Sequence, residues 1–373
     1  MIPASIRGIC GITALLLAGT APLAAQRWRS QYFYDEDKTT LHFVDMQFPS
    51  ASRGVAVGFI EEQGRRKKSV ALVTSDSGAH WQTVELPDVP MSLYFLDESL
   101  GWLVTVKGNL YQTTEAGKNW RKLPKPPGET LRVYFTSEND SWAAGIRKRV
   151  FETHDAGRHW TPVSAAADPP GNPDYSTYTN IAFATKQFGI ITGFNLPPRR
   201  TYQRMPDWID PESALRYRDT PHLSYSLITH DAGKTWKADS ASLFGEIERV
   251  RLTPDGKGLG LIGYSSAFRY PSEAYRIDWH TGKSATVYRD RQFDISDIWL
   301  DADGTAYLAG AKTSGQVRGL IPGKVQVLVS HDWTTWKQMP VDYRADATNV
   351  ILAGAGKDLW MATDQGMILK LEP

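Results

Sequence analysis

The sequence predicts an all-β protein, a seven-bladed β-propeller in one domain, from three observations. A turn motif recurs five times, an apolar strand pair recurs seven times out of phase with it, and the chain ends supply complementary parts of one blade. Glycine (31 residues) and proline (22 residues) are frequent, as many short strands joined by turns require. Internal repetition of this kind is typical of such arrays, and 373 residues are compatible with one repeat-built unit.

The turn motif is the Asp-box, Ser/Thr-x-Asp-x-Gly-x-x-Trp. Its Asp carboxylate can accept hydrogen bonds from backbone N–H groups just downstream, its Gly permits a positive φ, and its Trp begins the outgoing strand. We expect structural roles in the near-complete copies for Thr74, Asp76, Gly78, Trp81, Thr113, Glu115, Gly117, Trp120, Thr153, Asp155, Gly157, Trp160, Thr229, Asp231, Gly233 and Trp236. Glu115 is longer than Asp and should cap its turn less well. The fifth copy, Ser330 to Trp336, has lost the Gly and one residue, so its turn must differ.

Seven strand pairs open the repeat units, which predicts seven blades of four strands each. In the first unit they are Leu41–Asp45 and Gly54–Gly58, and the last unit ends with its third strand at Leu371. The segment from Arg27 to Tyr32 precedes the first opening strand, and its Trp28 stands where the motif Trp stands elsewhere. We therefore expect the N-terminal strand to complete the last blade and close the ring.

Residues 1–25 read as a secretory signal, which leaves residues 26–373 as the propeller. Arg7 is followed by an apolar run and a small-residue exit at Ala24 and Ala25, and that run is shorter than the roughly 20 residues that span a membrane. We therefore expect an exported protein, periplasmic or secreted, with no transmembrane span after signal removal. The only cysteine, Cys10, lies in the signal, so neither disulfides nor thiolate chemistry is expected in the mature chain.

Net charge argues against nucleic acid as the partner. Arg7 is the only charged residue of the signal, so the 42 basic residues fall to 41 and equal the 41 acidic residues. Neither His-rich nor Cys-rich metal spacing nor a phosphate-binding Gly-rich loop is present, so no metal and no cofactor are expected. A monomer is expected.

With these motifs identified, the chain resembles the bacterial-neuraminidase-repeat propellers. Within that group it is similar to the photosystem II assembly and stability factors of cyanobacteria and plastids, and to their relatives in non-photosynthetic bacteria. The resemblance rests on the four motif copies and on the first opening, with Phe43, Asp45, Gly54, Ala56, Val57 and Gly58. It implies a non-enzymatic binding scaffold or assembly factor, although this architecture also serves unrelated hydrolases and receptors.

The turns between second and third strands are predicted to form a basic face across blades one to four. An Arg-rich surface with aromatic side chains favours an acidic or anionic protein partner, here one of the cell envelope. The alternative is ordinary solvated turns, where Lys and Arg are common. The fourth of these turns is the insertion 195–222. The candidate partner-binding residues are Arg65, Arg66, Lys67, Lys68, Arg147, Lys148, Arg149, Arg199, Arg200, Arg204, Trp208, Arg216 and Arg218.

A glycoside hydrolase of the sialidase type, or a glycan-binding propeller, is the alternative function. The Arg-Ile-Pro segment that sialidases share is missing near the first blade, and Glu273 with Tyr275 is a candidate nucleophile pair without visible support. No catalytic residue is therefore assigned. Arginines converging in the channel mouth would favour the hydrolase, and an open basic face would favour the scaffold.

Overall fold

The seven-bladed β-propeller is confirmed in a computed structural model, which describes residues 26–197, 221–264, 268–313 and 322–373. Each blade is an antiparallel sheet in which the strands succeed one another from the channel outward. The predicted signal, residues 1–25, lies outside the described residues.

The strands follow the chain blade by blade, after an N-terminal strand β1 (Arg27–Phe33). Blades one to three contain β2 (Thr39–Gln47), β3 (Gly54–Glu62), β4 (Arg65–Thr74), β5 (Gln82–Glu85), β6 (Pro90–Phe95), β7 (Gly101–Thr105), β8 (Leu110–Thr113), β9 (Arg121–Leu123), β10 (Thr130–Phe135), β11 (Ser141–Gly145), β12 (Val150–Thr153) and β13 (Thr161–Pro162). Two short 3-10 helices, Ser164–Ala167 and Pro173–Tyr175, connect the third blade to the fourth.

The remaining blades continue the same order. They contain β14 (Ser176–Phe183), β15 (Gly189–Asn195), β16 (His222–Thr229), β17 (Lys237–Leu243), β18 (Gly245–Leu252), β19 (Lys257–Tyr264), β20 (Ser272–Asp278), β21 (Lys283–Arg289), β22 (Phe293–Leu300), β23 (Ala306–Lys312), β24 (Gly323–Ser330), β25 (Lys337–Gln338), β26 (Asp346–Ala347), β27 (Val350–Ala355), β28 (Asp358–Thr363) and β29 (Met367–Glu372). The sixth blade has five strands, because β26 also pairs with β24.

The N-terminal strand closes the ring as predicted. β1 pairs antiparallel with β29 and becomes the outer strand of the seventh blade. Trp28 is buried in the cluster between blades six and seven, and its backbone N–H donates to the carbonyl of Pro340 at 2.9 Å. Pairing with β1 covers the edge of β29 that would otherwise be open.

Aromatic side chains join neighbouring blades. Trp102 of the second blade stacks on Phe135 of the third with ring centroids 3.5 Å apart, and Trp360 of the seventh stacks on Phe48 of the first at 3.6 Å. A Cβ on Gly54 would lie 2.4 Å from the Phe48 ring, which explains the glycine that starts this second strand. These contacts bury large apolar surface between sheets that share few backbone hydrogen bonds.

The motif turns are closed by the side chains that the repeat shares. Thr74 Oγ1 accepts from the Gly78 N–H at 3.0 Å, Asp76 Oδ1 accepts from the His80 N–H at 2.9 Å, and Gly78 has φ +90°. The corresponding bonds recur around Asp155 and Asp231. Glu115 differs from them, because its carboxylate accepts from the Asn119 side-chain amide at 2.7 Å.

The shortened fifth copy adopts a different turn, as expected. Asp332 Oδ1 accepts from the N–H groups of Thr334 and Thr335, and Trp333 takes the positive φ, at 61°. The Trp333 indole N–H then donates to the Gly304 carbonyl at 2.7 Å. An aromatic side chain thus occupies a strained left-handed position that small residues fill in the other copies.

These turns should make the fold acid-sensitive. Hydrogen bonds from the His80 backbone and side chain lower the pKa of Asp76 to about 2, and those from Thr235 do the same for Asp231. A carboxyl group whose pKa is lowered by folding stabilises the fold above its unfolded pKa, near 4, and this stabilisation is lost as pH falls toward 2.

We therefore expect the melting temperature to fall between pH 4 and pH 2, followed by circular dichroism. The variant Asp76→Asn with Asp231→Asn should show a flatter dependence in this window. Asp37→Asn with Glu138→Gln removes two exposed carboxylates elsewhere and is the matched control. A control as flat as the turn variant would show that these turns are not the cause.

Candidate functional site

The propeller has two faces, and different turns lie on each. One, here called the motif face, carries the turns between first and second strands and the motif turns between third and fourth strands. The other, here called the basic face, carries the turns between second and third strands and the connections between blades. Strand direction assigns each candidate residue to one of these faces.

The described basic candidates lie at the basic face, although one group is not in a turn. Arg65 to Lys68 were predicted in the turn of the first blade, but they are the first residues of β4. Gln63 and Gly64, with φ of 48° and 76°, are sufficient for the turn, so the strands extend further than expected. Arg66 lies over the Phe59 ring at 5.2 Å, and Lys67 forms an ion pair with Glu62.

The third blade contributes two exposed arginines and one lysine that is hydrogen-bonded within the protein. Arg147 and Arg149 are exposed, and Arg147 pairs with Asp174 at 3.3 Å. The Lys148 ammonium instead donates to the carbonyls of Pro169 and Gly171 in the connection to the fourth blade. Burial lowers the pKa of Lys148. Lys148 therefore fastens this connection, while its two neighbours face solvent.

Six of the candidates lie outside the described residues. They belong to the insertion 195–222, of which the structure describes the ends, and they are Arg199, Arg200, Arg204, Trp208, Arg216 and Arg218.

The basic face also carries exposed apolar side chains. Every large hydrophobic residue exposed in the described part of the chain lies in a turn or connection on this face or at a strand end beside it. They are Phe33, Val106, Tyr175, Leu196, Phe244 and Tyr343. Tyr175 and Leu196 are neighbours, because the Leu196 N–H donates to the Tyr175 carbonyl at 2.8 Å. Segregation of exposed apolar surface to one side marks an interaction surface.

The channel holds a second polar feature, a ring of side chains that sequence analysis missed. A β-bulge interrupts the inner strand of blades one to six, and the residue after it is Asp45, Ser92, Arg132, Asn180, Arg249 or Asp297. Each of these side chains bonds to the next blade; for example, Ser92 Oγ donates to the Leu131 carbonyl at 2.8 Å. Asp297 links onward to the seventh blade by accepting from the Leu352 N–H.

The signal for this ring was present in the sequence. In each of these blades the residue lies twelve positions before its strand partner, as Asp45 does before Val57 and Arg132 before Ala144. In several blades a glycine follows that partner. A Cβ on Gly58 would lie 2.2 Å from the His42 carbonyl oxygen, so the bulge and the glycine occur together. Gly58, Gly145, Gly193 and Gly310 each lie thirteen positions after the ring residue of their blade. Thr105 and Ile262 stand at this position for Ser92 and Arg249, so the glycine marks four of the six ring residues.

Three guanidinium groups converge at the motif-face end of the channel. Arg132, Arg249 and Arg251 line a cavity of about 220 Å³ together with Asp45 and Asp297. Arg249 Nε donates to Asp297 Oδ1 at 3.2 Å, and Arg132 Nη1 lies 3.8 Å from Asp45 Oδ2. Three positive and two negative groups give this cavity an excess of positive charge.

The pKa values reflect this crowding. Burial, and then the charge of Arg249, lowers the pKa of Arg132 to about 10. Burial acts to lower the pKa of Arg249. The negative charges of Asp297 and Asp45 outweigh this effect, so the pKa of Arg249 is raised. Burial also lowers the pKa of Arg251. All three guanidinium groups remain charged at neutral pH.

The other end of the channel is acidic. Glu246, Glu248 and Asp294 line a cavity that opens toward the basic face. Burial, and then the charge of Asp294, raises the pKa of Glu248 to about 7. The channel therefore changes sign along its axis, positive at the motif face and negative at the basic face.

Arginines converge in the channel mouth, as expected for the hydrolase, but the candidate nucleophile pair lies elsewhere. Glu273 and Tyr275 lie on β20, the third strand of the fifth blade, and the Tyr275 ring packs against Gly260. Glu273 accepts from the hydroxyls of Tyr264 and Thr286. Among the described residues that line the arginine cavity, neither a Glu nor a Tyr occurs.

Within the described ranges, no helix is long and apolar enough to cross a membrane. The same part of the chain contains no group of three His, Cys, Asp or Glu side chains arranged to hold a metal ion.

The seven sheets define the chain as a seven-bladed β-propeller. Solved structures share that architecture. No family model and no curated protein matches the chain. A structure described as YCF48 bound to D1 peptide has a TM-score of 0.60 and 16% identity, covering 93% of this chain and 95% of that chain. YCF48 from Cyanidioschyzon merolae has a TM-score of 0.58 and 15% identity, over 94% and 99% of the two chains.

A third structure, the GH74 xyloglucanase from Xanthomonas campestris, has a TM-score of 0.48 and 12% identity. The match covers 91% of this chain and 68% of that chain. Its TM-score is too low for the match to bear on function. The resemblance to the photosystem II stability factor is thus confirmed in the fold.

Proposed function

We propose that this chain is an exported, non-enzymatic scaffold that binds a protein of the cell envelope through its basic face. One observation carries the proposal. In the described ranges, all exposed large hydrophobic residues lie on this one face, and exposed cations lie beside them. Arg147 and Arg149 stand on the same side as Tyr175 and Leu196. Apolar anchors next to arginines are what a protein-binding surface requires.

The peptide named in the YCF48 structure adds support. A propeller with this architecture binds a polypeptide segment there, so the fold is suited to such a partner. For this chain, the face predicts a segment that has apolar side chains and carboxylates, because Arg pairs with carboxylates in a bidentate way. We propose an exported location, which would place the face in contact with envelope proteins.

The proposal is tested by capture from an envelope extract on immobilised residues 26–373. We expect Arg147→Glu with Arg149→Glu to reduce retention of the specific partner at least tenfold, because cations at an interface centre contribute roughly 1.5–3 kcal/mol each. Leu196→Ser with Tyr175→Ser should reduce it independently. Lys148 is left unchanged, because its bonds to Pro169 and Gly171 are structural.

The matched control reverses two lysines on the motif face, Lys118→Glu and Lys234→Glu, both exposed in motif turns. This control has the same change in net charge and should retain the partner. Equal loss in both charge variants would indicate unspecific attraction and refute the face assignment. Absence of any specific partner, together with hydrolysis in a screen of sugar substrates, would favour the glycoside hydrolase.

A further inference from the structure

The cavity at the motif-face end of the channel contains hydrogen-bond donors beyond those that hold the ring. Each guanidinium carries five N–H donors. In the described contacts Arg132 uses Nε for the Thr179 carbonyl, and Arg251 uses Nε for the Ile298 carbonyl. Arg249 uses Nε for Asp297. At the terminal nitrogens, Arg132 Nη1 lies 3.8 Å from Asp45 Oδ2 and Arg251 Nη2 lies 3.9 Å from Asp297 Oδ1. Both distances are too long for a hydrogen bond, so terminal N–H groups of these arginines are the donors that a ligand in the cavity could use.

The two carboxylates of the cavity are already occupied by backbone donors. Asp45 accepts from the N–H groups of Met46 and Leu93, each at 2.9 Å. Asp297 accepts from the N–H groups of Ile298 and Leu352, each at 2.9 Å. These bonds connect blades, so the carboxylates act as parts of the ring. The two carboxylates therefore have fewer free lone pairs with which to accept hydrogen bonds from the arginines.

Trp299 supplies apolar surface beside the arginines. Arg251 lies over the Trp299 ring, 5.0 Å from its centroid. Ile181 and Val250 border the same space, although their side chains are largely buried. Since one water occupies roughly 30 Å³ in the liquid, a cavity of about 220 Å³ accommodates a small organic molecule.

We propose that this cavity is a binding site for a small organic carboxylate. Arg132, Arg249 and Arg251 would bind the carboxylate, and the apolar part of the ligand would lie against Trp299. A planar carboxylate matches the fork of a guanidinium, which gives both energy and direction. The site opens on the motif face and is independent of the docking surface proposed on the opposite side.

Three probes separate charge from apolar contact in titration calorimetry with residues 26–373. Benzoate has both the carboxylate and an apolar ring, benzamide has the ring without the charge, and inorganic phosphate has charge without the ring. We expect benzoate to bind at least tenfold more tightly than either of the others. Equal affinity for benzamide would overturn the arginine assignment, and equal affinity for phosphate would overturn the assignment to an organic carboxylate.

The matched variants are Arg251→Gln in the cavity and Arg149→Gln on the opposite face. Loss of a charge-assisted pair should weaken benzoate binding roughly ten- to hundredfold in Arg251→Gln and leave Arg149→Gln unchanged. Arg251→Lys keeps the charge without the fork, so it should give an intermediate affinity and carries the test if Arg251→Gln does not fold. Unchanged benzoate binding in a folded Arg251 variant would refute the site.

Discussion

Replacing Trp28 by Ala should lower the free energy of unfolding by about 3–5 kcal/mol, the usual cost of removing a buried tryptophan. Trp28 is 1% exposed and packs in the cluster that joins the sixth and seventh blades. Its backbone also accepts from the Asp342 N–H and donates to the Pro340 carbonyl, so its strand contacts both blades. For a chain of this size the loss corresponds to a fall in melting temperature of roughly 4–7 °C.

Removal of the whole strand Arg27–Phe33 should have a larger effect. It would expose the edge of β29 and open the last blade, so we expect self-association as well as lower stability. Thermal unfolding by circular dichroism and size-exclusion chromatography measure the two effects. The control Arg29→Ala breaks a surface ion pair with Glu372, whose contribution is at most about 1 kcal/mol. A truncated chain as stable as the full one would show that β1 is dispensable.

The turns could be predicted because their causes are local, and the ring closure because the two ends of the chain supply complementary parts of one blade. A Thr, an Asp and a Gly at fixed spacing are enough to define the motif turn, and Trp28 marks the missing strand by its type alone. The assignment of Arg65 to Lys68 to a turn was wrong for a local reason as well. Two left-handed residues, Gln63 and Gly64, make a shorter hairpin than the charged run suggests.

The arginine cavity could not be found in the same way, because its members are far apart in the chain. Arg132 and Arg249 meet only when blades three and five surround one channel, and sequence proximity carries no such information. A repeated bulge positions both residues, and a bulge depends on strand pairing. The side on which each turn lies was easier to predict, since alternating strand direction assigns it.

The ring of bulge residues explains why charged side chains are tolerated in the channel. Asp297 is 0% exposed, yet its two oxygens accept from Arg249 and from backbone N–H groups of the sixth and seventh blades. Buried carboxylates of this kind stabilise a fold through complete hydrogen bonding. The same bonds make the ring intolerant of losing a single member.

Asp297→Ala should therefore destabilise the protein by about 3–5 kcal/mol, the cost of leaving a buried charge without its partner. The change removes the acceptor of Arg249 and of the Leu352 N–H at once. Chemical denaturation of Asp297→Ala, Arg249→Met and the double variant forms a cycle that isolates their coupling. We expect the double variant to be less destabilised than the two single losses combined.

The matched control is Glu98→Ala, which removes an exposed carboxylate paired with Arg53 at 3.3 Å. Surface pairs contribute at most about 1 kcal/mol, so this variant should unfold close to the wild type. If Asp297→Ala were no more costly than Glu98→Ala, the blades would be held by their apolar interfaces alone. A large loss at Asp297 would establish the ring as a continuous polar connection from blade to blade, on which the position of the arginine cavity depends.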